Sequence, residues 1–218
     1  MIRLQLPAKP DGEPLRVLCL GAHSDDIEIG CGGAILRLKD EYPEAEFHWV
    51  VFSAQGVRER EAREGANLFA GGDRLRGLHL KDFRDGFMPF NAVDLKQSFE
   101  DLKSGISPDL IFTHTRKDAH QDHRIVSDLT WNTFRNDFIL EYEIPKYDGD
   151  LGQPGVFVPL DDAICKRKID YLLKAFGSQC AKHWFEPETF RSLMRLRGME
   201  CHSPSGYAEA FHCRKLVL

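Results

Sequence analysis

Two short clusters of imidazoles and carboxylates carry the chemistry this chain could do. Ala22-His23-Ser24-Asp25-Asp26 holds one histidine and two aspartates, and Asp118-Ala119-His120-Gln121-Asp122-His123 holds two of each. Zinc is bound by imidazole nitrogens and carboxylate oxygens, and a catalytic zinc site uses three protein ligands and leaves a position for water. His23, one member of the Asp25-Asp26 pair, and His123 make up a two-histidine, one-carboxylate set. Neighbouring residues in a tight turn do not easily share one ion, so the second aspartate of the pair is placed to act as a general base on water. His120 stands three residues before His123 and can face the same pocket. As an imidazolium it would stabilise the oxyanion of a tetrahedral intermediate, with Asp122 orienting it by accepting its other N–H. An aspartate ahead of a helix can also serve only as its N-cap, and His114, alone at a strand end, reads as structural. Capping does not explain both clusters together.

The chain must bring the clusters to one place. Residues 15–22 form an almost unbroken apolar run of strand length, as in a buried parallel strand. The chain is expected to turn on Gly30, Gly32 and Gly33 just past the first cluster, with Ile29, Ala34, Ile35 and Leu38 at helical spacing over 29–39 and the next strand at 47–53. Further helices are predicted at 58–70, 93–103, 122–134, 161–176 and 188–197, and strands at 78–80, 108–114, 138–144 and within 207–218. This alternation predicts an α/β fold: a single three-layer, Rossmann-like domain over residues 1–218, with a mostly parallel sheet, a core of about 15–217, and an extended lead-in over 1–14. In such sheets ligands sit beyond the carboxyl ends of the strands. Both clusters directly follow apolar strands, so they are expected at the same edge.

Composition removes other classes of function. No apolar run approaches 18 residues, so no membrane span is expected, and the first fourteen residues lack the apolar core of a secretory signal, which leaves a cytoplasmic location. Six cysteines without a Cys-x-x-Cys pair read as free thiols. A net charge of −5 gives no broad basic field for nucleic acid. Arg60, Arg63, Arg74 and Arg76 read as a solvated face, with Arg58 set apart from them. The expected partner is a small molecule; homo-oligomerisation is left open.

The two clusters resemble the signatures of the PIG-L/LmbE family of zinc-dependent de-N-acetylases, Ala-His-Pro-Asp-Asp and His-Pro-Asp-His, which stand here as residues 22–26 and 120–123. Arg58-Glu59-Arg60-Glu61 is similar to the family's Arg-x-x-Glu, Asp85-Gly86 to its substrate loop, and Ser178-Gln179 and residues 207–211 to its C-terminal features. The resemblance runs from about residue 15 to 211 and fails over 137–159. It implies that His23, Asp26 and His123 hold zinc, with iron as the other metal to consider, and that Asp25 is the general base. It further implies that His120 stabilises the oxyanion with Asp122 behind it, and that Arg58 and Asp85 contact the sugar. The implied activity is hydrolysis of the N-acetyl group of an N-acetylamino sugar: a GlcNAc-type glycoside, or a nucleotide- or carrier-linked sugar. Ser24 and Gln121 replace prolines of the two motifs and are expected to loosen their loops.

Three other readings compete. A dinucleotide-binding fingerprint starting at Gly30 has Ile35 where its third glycine belongs, and the next strand ends at Ser53 where an acid would hold the ribose. A zinc amidase acting on a larger amide or thiol conjugate would use the same metal chemistry, and only pocket size separates it. A non-enzymatic sugar or metal binder leaves Asp25 and His120 without a purpose.

Overall fold

The computed structural model describes residues 2–3, 5–6 and 12–217, so much of the expected lead-in lies outside the described residues. Strand β1 spans Arg16–His23 and pairs in parallel with β2 (Glu46–Ser53) on one side and β4 (Leu110–His114) on the other. Outside them lie β3 (Leu75–Leu80), parallel to β2, and β5 (Ile139–Tyr142), parallel to β4. The sheet is completed by β7 (Tyr207–His212) and β6 (Val156–Leu160), both in antiparallel pairings, giving the order β3-β2-β1-β4-β5-β7-β6. The chain leaves β1 toward β2 and β3 and then crosses back to β4. The switch point at which ligands bind in such sheets therefore falls between the carboxyl ends of β1 and β4.

The alternating faces of β1 show how the layers are made. Val17 and Cys19 point into the core beneath α1 (Asp26–Glu41), α2 (Val57–Phe69), α5 (Asp162–Ala175) and α6 (Pro187–Glu200). Leu18, Leu20 and Ala22 point into a second core beneath α3 (Ala92–Gly105) and α4 (Gln121–Thr133). A strand buried on both faces needs apolar residues at nearly every position, which is why the run over 15–22 is interrupted only by the half-buried Arg16.

Three features depart from expectation. The glycines after the first cluster do not turn the chain: they lie inside α1, which begins at Asp26. A Cβ on Gly30 would meet the Tyr142 ring at 2.2 Å and one on Gly32 would meet Phe69 at 2.5 Å. They are therefore close-approach positions and not a phosphate cradle, which removes the dinucleotide reading. Strand β6 was not foreseen: it is a half-buried edge strand containing Pro159, a residue tolerated only where no ladder donor is needed. Finally, α1 is spliced to the C-terminal part of the chain. Glu209 of β7 accepts from the amides of Gly33 (2.8 Å) and Ala34 (2.7 Å), and Lys168 of α5 donates to the carbonyl of Ile29 (2.6 Å) and pairs with Glu209 (2.5 Å). This buried ion pair is satisfied in part by backbone groups of α1, which joins the helix to β7 and α5. Among the described residues no helix is long and apolar enough to cross a membrane.

The close approach of α1 to β5 is testable by adding one methyl group. Gly30→Ala should lower the free energy of unfolding by about 1–3 kcal/mol through overpacking against Tyr142. Gly105→Ala, at the open end of α3 with nothing within 4 Å of the added carbon, should leave it unchanged or slightly raise it. Equal urea midpoints for the two variants would contradict the packing role.

Candidate active site

The first cluster sits at the junction of β1 and α1. Asp25 occupies the N-cap position of α1, yet its side chain makes no capping bond; its Oδ1 instead accepts from Arg58 Nη2 at 2.7 Å. Asp26 begins the helix and turns its carboxylate back, so that Oδ2 accepts the backbone N–H of His23 at 2.6 Å. Neither aspartate is a side-chain cap.

The second cluster follows β4, with His123 on the first turn of α4. His23 Nδ1 lies 3.2 Å from His123 Nε2 and 3.4 Å from Asp26 Oδ2, and His123 Nε2 lies 3.5 Å from Asp26 Oδ1. Ligands at about 2.0–2.2 Å from a tetrahedral zinc are themselves separated by about 3.3–3.5 Å. Taken pair by pair these donors are spaced as two ligands of such an ion are, Asp26 meeting one histidine through each of its oxygens. His120 also converges here, a ring nitrogen of it lying within 4.8 Å of ligand atoms of His23 and His123.

The electrostatics fit a cation as well. Burial works to raise the Asp26 carboxyl, but His123, His114 and His23 overcome it and hold Asp26 well below the usual carboxylate range. Burial works against a charged His23, but Asp26, Asp122 and Asp85 drive its imidazole well above its ordinary value. Asp25 moves opposite to Asp26: burial raises its carboxyl, with Arg58 opposing and Asp26 adding to the rise.

Each histidine is steadied through its far nitrogen. His23 Nε2 lies 3.0 Å from Asp85 Oδ1 and 3.3 Å from Asp122 Oδ2. His123 Nδ1 lies 2.9 Å from Asp118 Oδ2, while Asp118 Oδ1 accepts from the His120 amide at 2.8 Å and pairs with Lys146 at 3.0 Å. Lys146 in turn reaches Asp150 at 2.6 Å, and Asp150 accepts the Ala119 amide. Asp118 and Lys146 were not assigned roles from sequence. Asp118 lies inside the second cluster and was within reach, whereas Lys146 falls in 137–159, where the family pattern offers no guide. His114 is fully buried, stacked on His123 at 4.0 Å, with Nε2 accepting the Ala22 amide at 3.0 Å and lying 3.2 Å from Asp26 Oδ2.

The expected pairing of Asp122 with His120 is corrected. His120 caps α4, its Nδ1 accepting the backbone N–H of Asp122 at 3.2 Å, and the Asp122 carboxylate points elsewhere. Oδ2 accepts from the Gly86 amide at 2.7 Å and Oδ1 from the Met88 amide at 3.1 Å. Asp122 thus clamps the loop after β3 and touches His23. Because Nδ1 of His120 is an acceptor, its neutral ring carries the proton on Nε2. Burial, His123 and His23 keep that ring below its ordinary pKa.

The two proline replacements take up bonds a proline could not make. Ser24 Oγ donates to the Ser53 carbonyl at 3.3 Å, joining the ends of β1 and β2, and Gln121 Nε2 donates to the Gly86 carbonyl at 3.1 Å. Arg58, expected on the sugar, is turned onto Asp25 and Glu61 (2.8 Å), and Glu61 accepts from the amide and hydroxyl of Ser178, both at 2.7 Å. Asp85 stands at the rim, three-quarters exposed.

The family described as PIG-L, GlcNAc-PI de-N-acetylase, matches residues 18–134, which include both clusters, Arg58 and Asp85. The chain is 31% identical over 140 residues to the Escherichia coli protein named uncharacterized deacetylase YaiS, covering 59% of this chain and 74% of that one. Among solved structures it is similar to N,N'-diacetylchitobiose deacetylase of Pyrococcus horikoshii, with a TM-score of 0.70, 21% identity, and coverage of 94% of this chain and 85% of that chain. It is also similar to GalB, the 4-carboxy-2-hydroxymuconate hydratase of Pseudomonas putida, with a TM-score of 0.71, 16% identity, and coverage of 93% and 97%. A deacetylase and a hydratase thus share the fold, which by itself does not decide the reaction.

The support of His123 by Asp118 predicts a metal phenotype. Asp118→Asn should weaken zinc binding about 10–100-fold in a calorimetric titration, because the carboxylate that fixes the imidazole is replaced by a weaker partner. An unchanged zinc affinity would show that Asp118 serves the loop alone.

Proposed function

Because the chain belongs to the PIG-L family, the GlcNAc-PI de-N-acetylases, we propose that it hydrolyses the acetamide of an N-acetylamino sugar with water. The observation that carries this reading is the convergence of His23, Asp26 and His123 within 3.5 Å of one another, beside a buried aspartate, Asp25, that stays outside the set. These three residues would hold zinc; the same nitrogen and oxygen donors also accept iron. The ion, when bound, supplies Lewis acidity toward water and toward the acetyl carbonyl.

The remaining work falls to the chain's own residues. Arg58 occupies Oδ1 of Asp25, and Oδ2 has no hydrogen-bond partner among the described residues, so one oxygen is oriented and the other is available for a proton. Asp25 Oδ2 takes a proton from water as the water oxygen bonds to the acetyl carbon. Negative charge then develops on the carbonyl oxygen, and the Nε2–H of His120 is the donor for it: a neutral ring, with its tautomer set by the α4 amide that its Nδ1 accepts. The C–N bond breaks as Asp25 returns its proton to the nitrogen, releasing acetate and a free amine. Asp85, at the rim, is the group that would meet a sugar hydroxyl, while Arg58 holds the base from behind. Asp122 holds His23 and the loop that presents Asp85 in place.

For the substrate we take a free, glycosidic, or nucleotide- or carrier-linked N-acetylamino sugar, a reading supported by the family's description as a GlcNAc-PI de-N-acetylase. A screen of N-acetylated sugars with amine detection, run with and without a chelator, tests the reaction. Asp25→Ala should lower kcat by about 10²–10⁴-fold while zinc still binds stoichiometrically. Full turnover by the zinc-loaded variant would remove Asp25 from the role of base.

A further inference from the structure

The loop between β3 and α3 carries apolar side chains that the core does not use. Phe83 and Met88 point inward, Met88 fully buried, and anchor the loop on the second core. Phe87 and Phe90 on this loop and Val93 at the start of α3 point outward, with exposures of 39%, 80% and 83%. Large apolar groups gathered on an exposed edge cost solvation and commonly mark a binding surface.

This edge is also rigid. The Asp122 carboxylate takes the amides of Gly86 and Met88, and Gln121 donates to the Gly86 carbonyl, so the backbone on either side of Phe87 is clamped from α4. Within the loop, the Phe87 amide donates to the Arg84 carbonyl (3.1 Å) and the Phe90 amide to the Phe87 carbonyl (3.0 Å). The Arg84 guanidinium covers one face of Phe87 at 3.8 Å from its centroid, and the Phe90 ring stands 6.0 Å away at 49°, forming a corner with it. A surface held in shape before binding loses little freedom when it is occupied.

Its position selects the occupant. Asp85 Oδ1 lies 3.0 Å from His23, and Phe87 follows two residues later, at most about 7 Å along the chain. A sugar whose acetamide sits at Asp25 and His120 must lead its remaining atoms out over the rim. Toward α2 the wall is charged and hydrogen-bonding, built from Arg58, Glu61 and Ser178. On the other side runs the loop after β3, tied at Gly86 to Asp122 beside His23 and carrying the exposed Phe87 and Phe90. We propose that Phe87, Phe90 and Val93 form an apolar ledge that binds an aryl or alkyl aglycone carried by the amino sugar. The ledge rests on the de-N-acetylase reading for what is cleaved, but what it binds can be measured without cleavage.

Two measurements on the zinc-loaded protein test it, each comparing the natural chain with Phe90→Ser, a change at a solvent-facing position. In the first, kcat/KM is measured for the 4-nitrophenyl and methyl β-glycosides of N-acetylglucosamine. The natural chain should prefer the nitrophenyl glycoside about tenfold, and the preference should fall to near unity in the variant. In the second, binding of 4-nitrophenyl β-glucoside, which has no acetamide, is titrated calorimetrically and should be about tenfold weaker in the variant. A preference and an affinity untouched by Phe90→Ser would overturn the ledge. Glucoside binding that depends on Phe90, with no turnover of either acetylated glycoside, would leave the ledge standing and overturn the de-N-acetylase reading. Sedimentation with phosphatidylcholine vesicles, or a dimer, that the variant abolishes while the glycoside preference persists would assign the patch to a lipid surface or a second copy and overturn it as well.

Discussion

A carboxylate removed from water must be met by charge or by donors, and Asp26 is the point at which this chain meets that demand. It lies at the junction of β1 and α1, buried, with His23, His114 and His123 around it and a backbone N–H on one oxygen. An isolated buried carboxylate would be strongly unfavourable, and this one is met by a backbone donor and by three imidazoles. Two of those imidazoles come from β4 and α4, nearly a hundred residues on. The cluster exists only because β1 and β4 are neighbours in the sheet, with Val17 opposite Leu110 and Cys19 opposite Phe112. Tyr142 tightens the same junction, its hydroxyl donating to the Leu20 carbonyl at 2.6 Å while its ring lies against Gly30. The reactive centre and the centre of the fold are one arrangement.

Around this centre, loops from distant parts of the chain are tied to one another by carboxylates. Asp122 joins α4 to the loop after β3; Asp118 joins the loop after β4 to Lys146 beyond β5; Glu61 joins α2 to the Ser178 segment after α5. Each carboxylate accepts from at least one backbone amide. Such bonds fix backbone as well as side chain, and so hold a site on loops to the tolerance that catalysis needs.

Much of this was legible in the sequence, and what was not has physical reasons. The buried strands of the parallel sheet were readable because burial on both faces leaves an almost unbroken apolar run, as over Leu15–Ala22. Strand β6 was not, because an edge strand with one face open and a proline in it carries no such run. Gly30 and Gly32 suggest a turn by type, and only the positions of Tyr142 and Phe69 reveal them as packing contacts inside a helix. Residue types and spacing name His23, His123 and one aspartate of the Asp25-Asp26 pair as candidate ligands, and only the resemblance chooses Asp26. The direction of Asp122 could not: two residues from His120 on a helix start, its side chain is aimed by the turn of α4 toward amides that a linear reading does not place beside it. Lys146 was invisible for the same reason, since its importance arises wholly from where β5 delivers it.

Asp25 has one consequence beyond the reaction. It stands where a carboxylate can cap α1, and it turns instead to Arg58, leaving the helix without a side-chain cap. N-cap bonds are typically worth about 1 kcal/mol. With Asp25 as the proposed base, folding and turnover would compete for the same oxygen atoms, and a better cap at this helix start would come at a cost to the reaction. In a lineage adapting to higher temperature, residue 25 should stay unchanged while stabilising substitutions collect elsewhere, which marks this junction as a fixed point in the protein's evolution.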